Sequence, residues 1–396
     1  MKIFVNNKIF FLPGIVLLSV SLTACIDKYW PETEFKYERM IVVEGMISNT
    51  PGPYTVYLSL SSSIDDPEFI PLSDYSVIIS DDQGNSELLS HIGGGIYQTA
   101  SDGIRGVIGR SYKLGIFSYD NNSIYESSYD LLRNPVEIKN VYAELEFHTD
   151  SDFEYDLTGY QFYVDTETAE QDTNYLLWRM DYTYQYEANY LARYVYDNYQ
   201  METMHPSDSL ETCWKTGKRK DIVIEKTEQL SEPTLTKIPL CYITTETKEL
   251  SIRYSLLVKQ HTIAYDAFRF WSQLEEFKEY TPWLFAKQPY PVKGNMECVT
   301  DEDEVVLGYF MATGVAEKRI FVDRPLGVDW HYRTECGFYT GEYMTYKLHL
   351  LHDSWPVYLT KYFNGFTYIT ALPEEQYCVD CRQSGGELIP PDFWEE

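Results

Sequence analysis

From residue 40 onward, apolar and small polar residues alternate in short runs, the period-two signature of strands with one face in a core and the other in water. Residues 41–45 (Ile-Val-Val-Glu-Gly) open the pattern, and residues 54–60 and 75–80 repeat it. Asp81, Asp82, Gln83, Gly84 and Asn85 then supply the acids, amide and glycine that a tight hairpin turn needs for positive φ. Further runs at 95–99, 111–117 and 124–129 are separated by Gly-rich or Asn-rich turns. About seven short strands in roughly a hundred residues, with no helical period between them, predict an immunoglobulin-like β-sandwich. It spans residues 39–135, with Pro135 at its boundary.

The second region, residues 136–396, keeps the strand pattern but is more aromatic. Residues 138–147, 160–164 and 175–186 read as strands, and in the last of these Leu176, Trp178, Met180, Tyr182, Tyr184 and Tyr186 share one face. A helix is predicted near 263–280, because Ala264, Ala267, Phe268, Trp271, Leu274 and Phe277 recur at threes and fours with polar residues opposite. Pro282 ends it. Strands resume at 305–311, 318–323 and 343–351. The expected fold is therefore mostly β: the sandwich, then a second β-rich domain carrying one amphipathic helix.

Ahead of residue 40 the pattern changes. Lys2 and Lys8 precede an apolar run at 9–20, and Leu22-Thr23-Ala24-Cys25 closes it, the arrangement of an export signal followed by a lipid-acceptor cysteine. Residues 1–24 are read as a lipoprotein signal peptide, Cys25 as the acylated first residue of the mature chain, and 25–38 as a polar tether. Each buried methylene adds about 0.8 kcal/mol of membrane affinity, so more than one acyl chain makes a lasting anchor. The membrane is thus an expected partner, reached through the lipid.

Charge removes one class of function. With 61 acids against 32 bases the formal net charge is −29, and such a body repels phosphate backbones, so no nucleic-acid partner is expected. Apart from Cys25, the seven cysteines are Cys213, Cys241, Cys298, Cys336, Cys378 and Cys381, an even set that an exported protein would oxidise to disulfides. Cys213 and Cys241 are a natural pair, closing a loop that would contribute roughly 3 to 4 kcal/mol. The other four could pair in any of three ways.

Tests for chemistry are mostly negative. His349 and His352 could seat a metal on a helix, but alternation around them predicts a strand that sends the rings to opposite faces. Asp301 to Glu304 concentrate carboxylates without the glycine and alternating ligands of a calcium loop, and read as a solvated turn. No nucleophile elbow, metalloprotease helix or phosphate loop is present, so neither metal nor cofactor is expected and no catalytic residue is assigned. Tyrosine is in excess, at 36 against 19 phenylalanines and 8 tryptophans. Surplus tyrosines mark binding faces, and Tyr182, Tyr184, Tyr186, Tyr190, Tyr194 and Tyr196 are the candidates.

Several strings together resemble one family, the Bacteroidota lipoproteins grouped as domain of unknown function 4249. They are the lipid-acceptor motif, Ile41 to Ile47, Gly95-Ile96-Tyr97, Gly109 to Leu114 and Phe270-Trp271. Gly294-Asn295-Met296, Val306 to Phe310, Cys378 to Arg382 and Pro391 to Trp394 complete the set. The resemblance implies an N-terminal immunoglobulin-like sandwich, an outer-membrane location and a TonB-dependent transporter as partner; it implies no active-site residues. Ile26-Asp27-Lys28-Tyr29 lacks the acid cluster of surface-exported lipoproteins, which leaves the periplasmic and surface orientations both open. The expected function is a non-enzymatic binding or accessory subunit for TonB-dependent nutrient uptake. The alternatives are a surface glycan or peptide hydrolase and an adhesive or envelope-structural lipoprotein.

Overall fold

The computed structural model describes residues 39–63, 67–120, 122–150, 152–167, 174–227, 234–278 and 292–395. The signal peptide, Cys25 and the tether lie outside the described residues. Met40–Glu396 forms one compact unit.

The alternation at the start of this unit becomes β1 (Ile41–Ser48) and β2 (Thr55–Leu60), paired antiparallel. A facing sheet is built from β3 (Tyr75–Asp81), β4 (Ser111–Ser118) and β5 (Ile124–Ser127). Between them Val43, Val56, Leu58, Val77, Ile79, Leu114 and Ile116 are sealed from water. Each such side chain contributes roughly 1.5–3 kcal/mol of burial. The predicted turn after β3 is held by the Asp81 carboxylate, which accepts the amides of Gln83 and Asn85 at 2.9 and 2.8 Å, with Gly84 at φ 89°.

The next strands, β6 (Ile138–His148), β7 (Leu157–Thr166), β8 (Tyr175–Glu187), β9 (Thr212–Lys218), β10 (Ile238–Thr244) and β11 (Arg253–Ile263), build the second region. The three-stranded sheet β6–β7–β10 packs on one face of β8 and β11, burying Phe162, Trp178, Tyr254 and Leu256. Helix α1 (Tyr265–Lys278) covers the opposite face, where Ala267, Phe270 and Trp271 meet Leu177 and Ile263. Ala264, Ala267, Phe268, Trp271 and Leu274 of the predicted stripe pack there, joined by Phe270, which the periodicity did not mark; the Phe277 side chain lies outside the described residues.

Two later strands return to the sandwich. β12 (Met296–Cys298) pairs with β5, and the 17-residue β13 (Leu307–Asp323) does two things at once. Its first half runs parallel to β1, and its second half antiparallel to β11, so one sheet of 10 strands crosses both regions. The sequence reads β13 as two strands. The sandwich core consequently includes Met296, Val306 and Phe310, which lie far beyond Pro135 in the chain.

The C-terminal part adds α2 (Gly341–Leu350) and the hairpin β14 (Val357–Phe363) and β15 (Tyr368–Pro373). Here a strand was expected at 343–351, and a helix is found. Met344, Leu348 and Leu351 face the small core at helical spacing, whereas the alternation of Tyr346, Leu348 and Leu350 leaves Tyr346 and Leu350 exposed. His349 and His352 therefore sit on or just past a helix end, where His349 lies against Tyr199 and His352 against Asp353.

The cysteines also depart from expectation. The disulfides are Cys213–Cys381 and Cys336–Cys378, with Cα separations of 5.7 and 6.2 Å. Cys241 and Cys298 are buried free thiols, so neither belongs to a disulfide and the Cys213–Cys241 pair does not form. Cys298 is sealed in the sandwich core and Cys241 in the core under β10; a bridge needs Cα atoms within about 7 Å. Burial pushes the Cys241 thiol up to about 12.

Candidate functional site

Strand β8 changes role along its length. Trp178 and Met180 lie in the core, Tyr182 and Tyr184 are half-buried, and beyond them the same face opens into a cleft. Antiparallel pairing sets Tyr184 opposite Lys215 and Tyr186 opposite Cys213, which places all four side chains on that face. A short 3₁₀ turn, Lys248–Leu250, forms the next wall: fully buried Leu250 pins it, and the Thr247 hydroxyl caps it by accepting the Glu249 amide. The loop after β13 supplies Arg324, Trp330, Tyr332, Arg333 and Thr334, and its position is fixed where the Tyr332 amide donates to the Thr245 carbonyl at 3.0 Å. Tyr377 and Ser384 close the far side.

The cleft has two lobes of about 490 and about 380 Å3 that share Lys248, Tyr332 and Thr334. Both volumes fall in the range of small-molecule sites. Four cations line it against one carboxylate, Glu187, and the smaller lobe holds Lys215 and Lys248 with no acid. In a chain of net charge −29 this is a local reversal of sign.

Three of these cations are held by rings or a carbonyl, not by acids. The Lys248 ammonium stands 5.3 Å from the Tyr186 ring and 5.8 Å from the Tyr332 ring, the Arg324 guanidinium 4.5 Å over Trp330. Lys215 Nζ donates to the Ser384 carbonyl at 2.8 Å. None of the four makes an ion pair with a described residue. Burial, and then the Lys215 ammonium, holds the Lys248 amine below the usual lysine range. Burial also raises the Tyr184 phenol and the Glu249 carboxyl, the latter opposed by Arg219 and Lys215.

Both disulfides frame this cleft. Cys213 is two residues from Lys215, Cys336 two from Thr334, Cys378 follows Tyr377, and Cys381 precedes Ser384 by three. They link strand, loop and C-terminal turns that share little apolar core, a cluster of Tyr186, Ala188, Cys213 and Cys381.

The six tyrosines do not form one binding face. Tyr184 lines the cleft; Tyr186 is fully buried behind it, donating its hydroxyl to the Cys381 carbonyl at 2.6 Å. Tyr182 stacks on Tyr254 beside the Arg219 guanidinium. Tyr194 and Tyr196 belong to the small core beside α2. Tyr190 lines a neighbouring cavity of about 630 Å3 whose charges are mixed, with Arg193 and Lys361 against Glu211. Period two reports which side of a strand a residue takes, and the β8 tyrosines take the side that packs. The sequence pattern missed Lys215, Lys248, Arg324 and Arg333. The nearest signal was the run from Trp330 to Arg333, basic and aromatic just before a cysteine.

Among the described residues no group of three or more His, Cys, Asp or Glu side chains could hold a metal ion. Asp301 to Glu304 form a turn in which Asp301 accepts the Asp303 amide and Glu304 accepts the Tyr125 hydroxyl.

No curated protein matches the chain. The family model described as Domain of unknown function (DUF4249) matches residues 26–319, a span that includes β8, Lys215 and Lys248 and stops short of Arg324. With well over half of its length matched, the chain belongs to the domain of unknown function 4249 family.

Proposed function

We propose that this protein is a lipoprotein of the outer membrane, held by acyl groups on Cys25, whose cleft binds a ligand as a non-enzymatic accessory subunit of a TonB-dependent uptake system. The observation that carries the binding role is the cleft itself, where unpaired cations and aromatic faces converge in an otherwise acidic protein. Lys215 and Lys248 are half-buried, without acid partners among the described residues, and an arriving anion would offset their charge. Among the described residues Glu187 is the one carboxylate that lines the cleft, which does not favour the paired acids of a glycoside hydrolase. The signal motif before Cys25 supports the anchor.

Two measurements test this reading. Cys25→Ser should move the protein from the membrane to the soluble fraction and abolish labelling by radioactive palmitate; retention in the membrane contradicts the anchor. Extraction in mild detergent should recover the protein with a transporter barrel. Recovery alone, under conditions that keep other such assemblies whole, contradicts the accessory role.

A further inference from the structure

We propose that the ligand is an acidic oligosaccharide of uronic-acid type, with one carboxylate between Lys215 and Lys248 and its sugar ring against Tyr332. The inference rests on the cleft being the ligand site and adds the ligand's chemistry.

Three features select this class. The smaller lobe presents two ammonium groups and no carboxylate, so its ligand is an anion. Lys215 is steadied by the Ser384 carbonyl and keeps donors to spare; Lys248 has no hydrogen-bond acceptor among the described residues and is held only by two rings. A carboxylate placed between them would accept from both and offset their mutual repulsion.

The rest of the lining offers more than a bare ion would use. Tyr184, Tyr332 and Tyr377 offer flat faces, and Thr334 and Ser384 add hydroxyls, in a lobe of about 380 Å3. Amphipathic rings interleaved with hydroxyls suit a ligand whose ring carries hydroxyls around its edge. The larger lobe repeats the theme, with Trp330 under Arg324, Arg333 beside it and Glu187 to accept hydroxyls. Because Lys248, Tyr332 and Thr334 line both lobes, the proposed ligand passes over these shared residues, carrying a second carboxylate to the arginines.

The test is calorimetric titration of the full mature chain, in detergent, with trigalacturonate, its methyl ester, monomeric galacturonate and inorganic phosphate. Trigalacturonate should bind, more tightly than the monomer, and its affinity should fall with salt. The methyl ester, and the variants Lys248→Gln and Lys215→Gln, should each weaken binding by about tenfold or more. Lys248→Arg should restore part of the loss, and Lys139→Gln, on an exposed position of β6, should change nothing. Circular dichroism and melting on each variant separate lost binding from lost fold. Equal binding of ester and acid, abolished by Tyr332→Ala, overturns the acid preference while the cleft remains the site. Phosphate binding that Lys248→Gln weakens, with no sugar bound, overturns the sugar class alone. Binding that no cleft variant alters, or no binding of any probe, overturns both this inference and the reading beneath it.

Discussion

Val43, Val56, Ile79, Leu114 and Ile116 are sealed between the sheets of the N-terminal sandwich, and no disulfide reaches them; the cleft walls between Lys215 and Ser384 are joined by two. The sandwich buries enough aliphatic surface to fix itself, and its cysteine, Cys298, stays a free thiol inside that core. The cleft sets short loops and charged side chains around open space; buried Leu250 pins one wall, and covalent links hold the loop and C-terminal turns that bury little. Cations follow the same division. Lys113 of the sandwich meets Glu126 at 2.8 Å on the surface, whereas Lys248 of the cleft has no acid partner. A residue kept in an unfavourable setting is a mark of function.

The strongest way to break this comparison is to cut the crosslinks. Replacing Cys213 and Cys381, or Cys336 and Cys378, with alanine should cost roughly 2–5 kcal/mol per bridge. Hydrogen exchange should show protection lost around the cleft first, with β1 to β5 still protected; uniform loss would mean the disulfides brace the whole body. The converse is Leu114→Ala, expected to cost about 2–5 kcal/mol in urea unfolding and to expose sandwich amides before those of the cleft.

The strand that pairs with the second half of β13 provides a smaller, pH-dependent effect. His261 on β11 is buried with Nδ1 unpartnered, and burial, reinforced by Arg179 and Lys259, lowers it to about 3. The unfolded chain takes up this proton near pH 6.5, the folded one only near pH 3, so stability is full above 6.5 and declines as pH falls through that window. Between pH 6.5 and 5 this side chain should account for about 2 kcal/mol, at about 1.4 kcal/mol per pH unit. Urea melts of His261→Leu should lack that part of the slope; an unchanged slope contradicts the buried neutral ring.

The smallest effect sharpens the contrast between lysines. Lys113→Ala should lower stability by about 0.2–1 kcal/mol, the usual worth of a surface ion pair. Lys248→Met should leave stability unchanged or raise it by a few tenths of a kcal/mol after allowance for solvent screening, because it removes a charge that burial disfavours. A clear loss in melts at neutral pH would mean Lys248 serves the fold instead.

How much of this was legible follows from the range of each interaction. The sandwich strands and the stripe of α1 are patterns within one segment, and alternation or threes-and-fours spacing reveals them. β13 defeated the same reading, because which strands lie beside Leu307–Asp323 depends on segments far away. At α2 the two periods compete within ten residues, and the packing of Leu348 against β14 and β15 decides. The cleft was the least visible: Lys215, Lys248 and Arg324 come from three separate elements, and cross-strand register, buried Leu250, backbone bonds of the loop after β13 and two disulfides bring them together. Tyr184 was named for its aromatic character and does line the cleft; its neighbour Tyr186, chosen on the same ground, is core.

The central claim is that ligand and cleft meet where the charge reverses. Hydrogen–deuterium exchange of the full mature chain with and without trigalacturonate addresses it directly. The account predicts added protection around Lys248, across residues 324–334 and around Tyr377 to Ser384, absent in Lys248→Gln. Protection confined to the sandwich, or none at concentrations that saturate binding, would contradict it.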